Sequence, residues 1–232
     1  MVDSSDLAGS DPFEILDRES QRCSRFFDEI DEAAWVRDTR CEGWRVREIL
    51  SHLDGVESYH LACLNDGVKA WADAFRSRGA KDGNDFNDLI VKDRADRSRE
   101  DLLASWRAAN AEVRGRMREL GADGSMSSSV GPYPVGLMAF HICSEYATHA
   151  DDMDAPIDPA ERAGRTAWRE KVSLFALKEA EKPVEVEPTD GGYVVRHDGE
   201  ETTLSAEDFV EAVTARLKTI PPGLQDALRA LA

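Results

Sequence analysis

With 232 residues and 41% hydrophobic side chains, the chain can form one large domain or a medium domain with a small companion, and no segment approaches the roughly 20 consecutive apolar residues of a membrane span. Its formal net charge of −17 sets up a field that repels nucleic-acid backbones and anionic lipid heads, and no basic stripe offsets it. The acidic opening MVDSSDLAGSDPFEIL lacks the basic-then-apolar order of a signal peptide, so a soluble, cytoplasmic protein is expected.

Asp11, Pro12 and Glu14 form a helix start: a capping side chain, proline at the first helical position and acid in the first turn. Phe13, Leu16, Cys23, Phe27 and Ile30 then recur at steps of three and four, with Ser20 in the one gap, which predicts a helix to about Ile30. A connector from Asp31 to Gly43 leads to a second helix near Trp44, with Val46, Ile49, Leu50, Leu53, Val56, His60 and Leu61 on one side. The third helix is SREDLLASWRAANAEVRGRMRELG, capped by Ser98 and closed by Gly121. Ala122 to Pro134 read as a polar loop, and a fourth helix runs from about Val135 to Met153. Four amphipathic helices with long connections describe a bundle ending near Ala155.

The remainder has a different pattern. Asp158-Pro159 opens a helix reaching Glu181. Val184–Glu187, Tyr193–His197 and Glu201–Leu204 alternate in polarity and are punctuated by Asp190-Gly191-Gly192 and Asp198-Gly199, as hairpins are. Ser205 and Asp208 resemble a capping box before the helix AEDFVEAVTARL. The expected fold is therefore mainly α: a four-helix bundle over residues 1–155, followed by a small α/β domain over 156–232. The four cysteines, Cys23, Cys41, Cys63 and Cys143, form no CxxC pair. They read as reduced, small buried side chains.

The fourth helix, VGLMAFHICSEYATHADDM, carries the chemistry. Met138, His141, Ile142 and Met153 set its inward stripe, and at 100° per residue Glu145 and His149 lie in the middle of it. A carboxylate at the centre of an apolar face is costly unless it is paired or coordinates a metal. Glu145 and His149 are four apart, so both can meet one ion. His52, beside Ile49 and Val56 on the second helix, is the candidate third ligand, and two histidines with one glutamate match a known catalytic zinc set. Nickel, iron or cobalt can bind the same atoms. The competing reading is a buried Glu145–His149 pair without metal. His60 reads as a packed histidine, His141 as a fourth ligand, a donor to the ligands or core, and His197 as solvated. Asp152 is either the residue orienting a ligand histidine or an exposed acid.

Two segments carry a family resemblance. Thr39 to Gly55, TRCEGWRVREILSHLDG, resembles the connector and metal-histidine helix of the mycothiol-dependent maleylpyruvate isomerase family, whose bundle is of the DinB-like type. SEYATHADDM resembles that family's second motif, at Glu145, His149 and Asp152. Phe86 to about Leu103 resembles its middle helical region, and residues 156–232 resemble its small C-terminal domain. The resemblance implies a divalent metal, usually zinc, held by His52, Glu145 and His149. It also implies mycothiol as the thiol cofactor or cosubstrate, and isomerisation or S-transfer on a small electrophile. One departure stands out: the positions before the glutamate that carry arginine in the family pattern hold Ile142 and Ser144, with His141 before them. Arg45 and Arg47 are the candidate replacements. The alternative function is a non-catalytic metal-binding bundle serving as a ligand-binding or structural module.

Overall fold

The computed structural model of the protein describes residues 3–231. They divide into two compact units, one of residues 12–155 and the other of residues 3–11 with 156–231. The boundary differs from expectation at the N-terminus, where the first residues group with the C-terminal segment and not with the bundle.

The larger unit is built on four long helices: α1 (Pro12–Glu29), α3 (Val46–Leu64), α6 (Arg99–Leu120) and α7 (Val135–Asp152). Helix α3 packs on α6, α1 on α7, and α6 touches both α1 and α7. The apolar spacing that predicts each helix also supplies its buried face. Leu16 and Phe27 of α1, Ile49, Leu50 and Leu53 of α3, Trp106 and Met117 of α6 and Tyr146 of α7 are almost wholly enclosed. Phe27 meets Trp106 edge to face at 5.8 Å. Local signals set the ends of α6, where the Ser98 side chain accepts from Asp101 N and Gly121 closes the helix at φ +75°.

Three features between these helices were not expected from the periodicity, although the resemblance implied helix from Phe86 onwards. The one-turn α2 (Glu32–Trp35) lies in the first connector, capped by Asp31. The long connection from α3 to α6 holds α4 (Val68–Arg76) and α5 (Gly83–Lys92), both packed on α3. The stretch expected as a polar loop contains an antiparallel hairpin, β1 (Ser125–Ser128) with β2 (Gly131–Pro134), and β1 lies against α3.

In the smaller unit, α8 (Pro159–Glu179) precedes an antiparallel sheet in the order β3 (Glu185–Thr189), β4 (Gly192–His197), β5 (Glu200–Ser205). Helix α9 (Ala206–Val213) follows, with the Ser205 side chain accepting from Asp208 N. It is shorter than expected: Thr214 Oγ1 bonds back to Val210 O at 2.9 Å, and Ala215 turns out of the helix at φ +59°. A further helix, α10 (Pro222–Leu228), has no counterpart in the sequence reading. Val195, Leu204, Phe209, Val213 and Leu224 form the core of this unit.

Candidate metal centre

His52 on α3 and Glu145 and His149 on α7 meet inside the helical unit. Each offers one ligand atom, and these atoms lie within 4.8 Å of one another. The helical repeat explains the convergence, since one turn separates Glu145 from His149 on the inward face of α7. His52 Nε2 lies 2.9 Å from Glu145 Oε1, and the rings of His52 and His149 meet edge to face at 4.9 Å. Both histidines are buried, whereas 30% of the Glu145 side chain remains accessible. The carboxylate therefore faces inward without being sealed from solvent.

The surroundings set the protonation states. Burial pushes the His52 imidazole below its ordinary value, against the opposing pull of Glu145. Its Nδ1 is enclosed and, among the described residues, has no hydrogen-bond partner. Burial alone would raise Glu145, but the hydrogen bond from His52 and the nearby histidine charges outweigh it and hold the carboxyl at about 2. Both directions leave His52 neutral and Glu145 anionic near neutral pH, which are the states a cation requires of its ligands. His149 is prepared differently. Its Nδ1 lies 3.1 Å from Asp152 Oδ2, which leaves Nε2 for the site. Asp152 is 1% exposed, so it is a buried hydrogen-bond partner of His149 and not an exposed acid.

The connector before α3 forms one wall. Thr39 Oγ1 donates to Trp44 O at 2.8 Å, Trp44 N donates to Cys41 O at 3.0 Å, and Gly43 takes φ +82° to make the turn. Arg40 N donates to Asp152 O at 3.1 Å and so ties this turn to the end of α7. Trp44 is thereby held 4.9 Å from the His52 ring and stacked on that of His149 at 6.1 Å.

The other candidates fall into place around this cluster. His141 lies one turn before Glu145 and its Nε2 is 3.0 Å from the Tyr133 hydroxyl. His197 is on β4 in the other unit. Arg45 forms a two-pronged pair with Glu48. Arg47 donates to the carbonyls of Arg94, Ala95 and Arg97. Both arginines are thus engaged in fixing local structure. Ile142 and Ser144 are buried.

One group was missed by the sequence reading. His60 is joined at Nδ1 to Glu57 Oε2 (3.0 Å), and Glu57 Oε1 accepts from the Tyr146 hydroxyl (2.5 Å) and from Asn110 Nδ2 (2.8 Å). Trp106 Nε1 donates to the Tyr146 oxygen at 2.7 Å. Glu57 is 0% exposed. The signal available in the sequence was a glutamate three residues before a histidine on a face otherwise apolar.

Residues 16–154 match the family described as "Mycothiol maleylpyruvate isomerase N-terminal domain". The chain belongs to this family. The match spans well over half of the sequence and includes all three residues of the cluster. Mycothiol-dependent maleylpyruvate isomerase is also the protein in two similar crystal structures. One has a TM-score of 0.60 at 12% identity, covering 90% of each chain. The other, of a histidine-to-alanine variant, has a TM-score of 0.58 at 12% identity and the same coverage. At that identity the likeness establishes the fold. No curated protein sequence matches the chain. Among the described residues, no helix of this family member is long and apolar enough to cross a membrane.

Proposed function

We propose that the protein is a metal-dependent, mycothiol-dependent isomerase or S-transferase acting on a small electrophile, and that His52, Glu145 and His149 hold the metal. The observation that carries this reading is the convergence of those three side chains in a family whose name specifies the thiol. The donor set fits a divalent cation such as zinc: two imidazoles, one with Nδ1 held by a carboxylate, and a glutamate already ionised. Three protein ligands leave coordination positions for a small molecule, and the partial exposure of the Glu145 side chain supports its approach from that side.

A bound divalent cation supplies a Lewis-acid centre that lowers the pKa of a thiol sulfur and favours the nucleophilic thiolate. The chain's own residues prepare the place. Asp152 fixes the ring of His149 through Nδ1, and Glu145 provides the negative charge. Trp44 covers the two imidazoles and keeps water from their faces. The electrophile is open in this proposal. A dicarboxylate such as maleylpyruvate calls for fixed cations, and Ile142 and Ser144 stand where the family pattern has arginine. The four cysteines are free thiols, consistent with a reducing cytoplasm.

Calorimetry of mycothiol with zinc-loaded and metal-free protein tests the proposal. Binding should appear with the loaded form and vanish with the metal-free one. Equal binding to both would overturn the metal–thiol reading. Binding to the loaded form with no turnover of maleylpyruvate or of other thiol-reactive electrophiles would point instead to a binding module.

A further inference from the structure

The helices that carry the three candidate ligands are held by different neighbours. Helix α3 lies chiefly against α6, and α7 chiefly against α1. The spacing of His52 from Glu145 and His149 therefore depends on side chains that reach from α3 to α7. One such link is His52 Nε2 to Glu145 Oε1 at 2.9 Å, but it uses the atoms a cation would take. A second link uses none of them. The Tyr146 hydroxyl, on the residue next to Glu145, donates to Glu57 Oε1 at 2.5 Å. Glu57 lies five residues beyond His52, about 7–8 Å along α3.

This second link is anchored from a third helix. Trp106 Nε1 and Asn110 Nδ2 of α6 donate to the Tyr146 oxygen at 2.7 and 3.1 Å, and Asn110 Nδ2 also reaches Glu57 Oε1 at 2.8 Å. The phenol thus donates once and accepts twice, which uses its full capacity. The other Glu57 oxygen, Oε2, meets His60 Nδ1 at 3.0 Å. Glu57 and Tyr146 are 0% exposed and Asn110 is 3% exposed. Polar groups enclosed this deeply hold their partners tightly, because none can turn to water instead.

We propose that Tyr146 and Glu57 are positioning residues for the metal: their hydrogen bond, clamped by Asn110 and Trp106, fixes the separation of α3 from α7 and the roll of α7 at which Glu145 and His149 meet His52. This rests on the metal reading given above. The leverage is geometric. Side-chain tips stand roughly 6 Å from a helix axis, so a roll of about 10° moves them by about 1 Å. Ligand distances to a cation tolerate only about 0.2 Å. A fully buried glutamate is costly in a core that apolar side chains could fill. Its directional bonds fix what apolar contacts leave loose, the register of two helices that must present ligands to one ion.

The test measures cobalt binding to the full chain by competition with a chelator and reads coordination from the visible d–d bands. Tyr146→Phe and Glu57→Ala should stay helical by circular dichroism, bind cobalt about 10-fold more weakly and show altered bands. Glu57→Gln keeps an acceptor oxygen for Tyr146 and Asn110, so it should retain wild-type affinity and bands. A loss equal to that of Glu57→Ala would show an effect of charge and overturn the brace. Met117→Ala removes buried apolar volume seven residues beyond Asn110, about 10 Å along α6. While that variant is folded, its cobalt affinity and bands should match the wild type; a loss as large as in Tyr146→Phe would reduce the effect to general stability and overturn the proposal. If Glu57→Ala does not fold, Tyr146→Phe, which removes a single oxygen, carries the comparison. Wild-type affinity and bands in Tyr146→Phe would overturn the positioning role and leave the metal reading standing. No cobalt binding by the wild type would overturn both.

Discussion

Glu145 gives the candidate cluster its negative charge, held ionised by the neighbouring histidines. Glu145 is conspicuous because its helix is otherwise apolar on that side, and the same periodicity brings His149 into line with it; the structure places both beside His52. Glu57, Asn110 and Tyr146 were not legible, because their role exists only when α3, α6 and α7 are side by side. Removing one of the three proposed ligands should weaken metal binding severely while the helices persist, since buried apolar area holds the bundle. His52→Ala, His149→Ala and Glu145→Gln should each lose metal to a mild chelator with helical circular dichroism intact. Asp152→Asn should weaken metal affinity about 10- to 100-fold, because it disturbs the orientation of His149 and not a ligand atom. Retention of a full equivalent by both Glu145→Gln and His52→Ala would refute the cluster as the metal site. The histidines also predict opposite pH dependences for the metal-free protein. His60 is raised in the fold, so its stabilisation is full below the ordinary 6.5 and is lost as pH rises through the folded value. His52 is lowered, so its contribution is present above 6.5 and is lost as pH falls. Glu145 adds to the acid side, contributing above 4.5 and losing that contribution as pH falls towards about 2. Denaturant midpoints of metal-free protein should therefore fall less on the alkaline side in His60→Gln than in the wild type. Parallel curves would show that His60 carries no such linkage.

Among the elements, length and periodicity decided what could be read. Helices α1, α3, α6 and α7 each run 18 residues or more, long enough for a stripe to repeat several times. Helices α4 and α5, of 9 and 10 residues, offer barely two repeats and take their stability from packing on α3. The β1–β2 hairpin is invisible to polarity, because SMSS and GPYP do not alternate. It is held by backbone pairing and by Ser127 Oγ donating to Cys63 O at 2.8 Å. The close approach of α5 to α3 makes a specific demand at Gly55. A Cβ there would lie 2.0 Å from Ile90 Cγ2 and 3.2 Å from the Arg94 guanidinium. Ile90 is 1% exposed and branched at Cβ, so it has little room to move. Gly55→Ala should cost about 1–3 kcal/mol by overpacking, despite alanine's better helix propensity. Arg94, whose Nε lies 2.6 Å from the buried Asp54 carboxylate, would be displaced with it. Thermal unfolding followed by circular dichroism checks this, and a melting temperature equal to or above the wild type would show that α5 yields freely.

At the level of the whole molecule, the division into two units was legible as a change of pattern near Ala155, from long amphipathic helices to short alternating strands. The grouping of residues 3–11 with the second unit was not. Nothing in an acidic, Gly- and Ser-bearing opening tells which partner it will join, because the information lies in tertiary contacts made far along the chain. A 3₁₀ turn, Ser5–Leu7, packs on α8 and buries Leu7 to 5% exposure. Lys178 Nζ reaches Asp6 Oδ2 at 2.5 Å and Lys171 Nζ reaches Ala8 O at 2.9 Å. The lysine contacts are exposed and contribute little alone, so the buried leucine should dominate. Leu7→Ala should cost about 2–4 kcal/mol through lost burial and a residual cavity. Because Leu7 belongs to the smaller unit, the loss should be local to it. Hydrogen exchange should accelerate over residues 156–231, above all along α8, while amides of α3 and α7 keep their protection and metal content stays at the wild-type value. Faster exchange spread equally over both units would show instead that they unfold as one cooperative body. Loss of metal in Leu7→Ala would show that the helical unit depends on the first eleven residues for its own integrity.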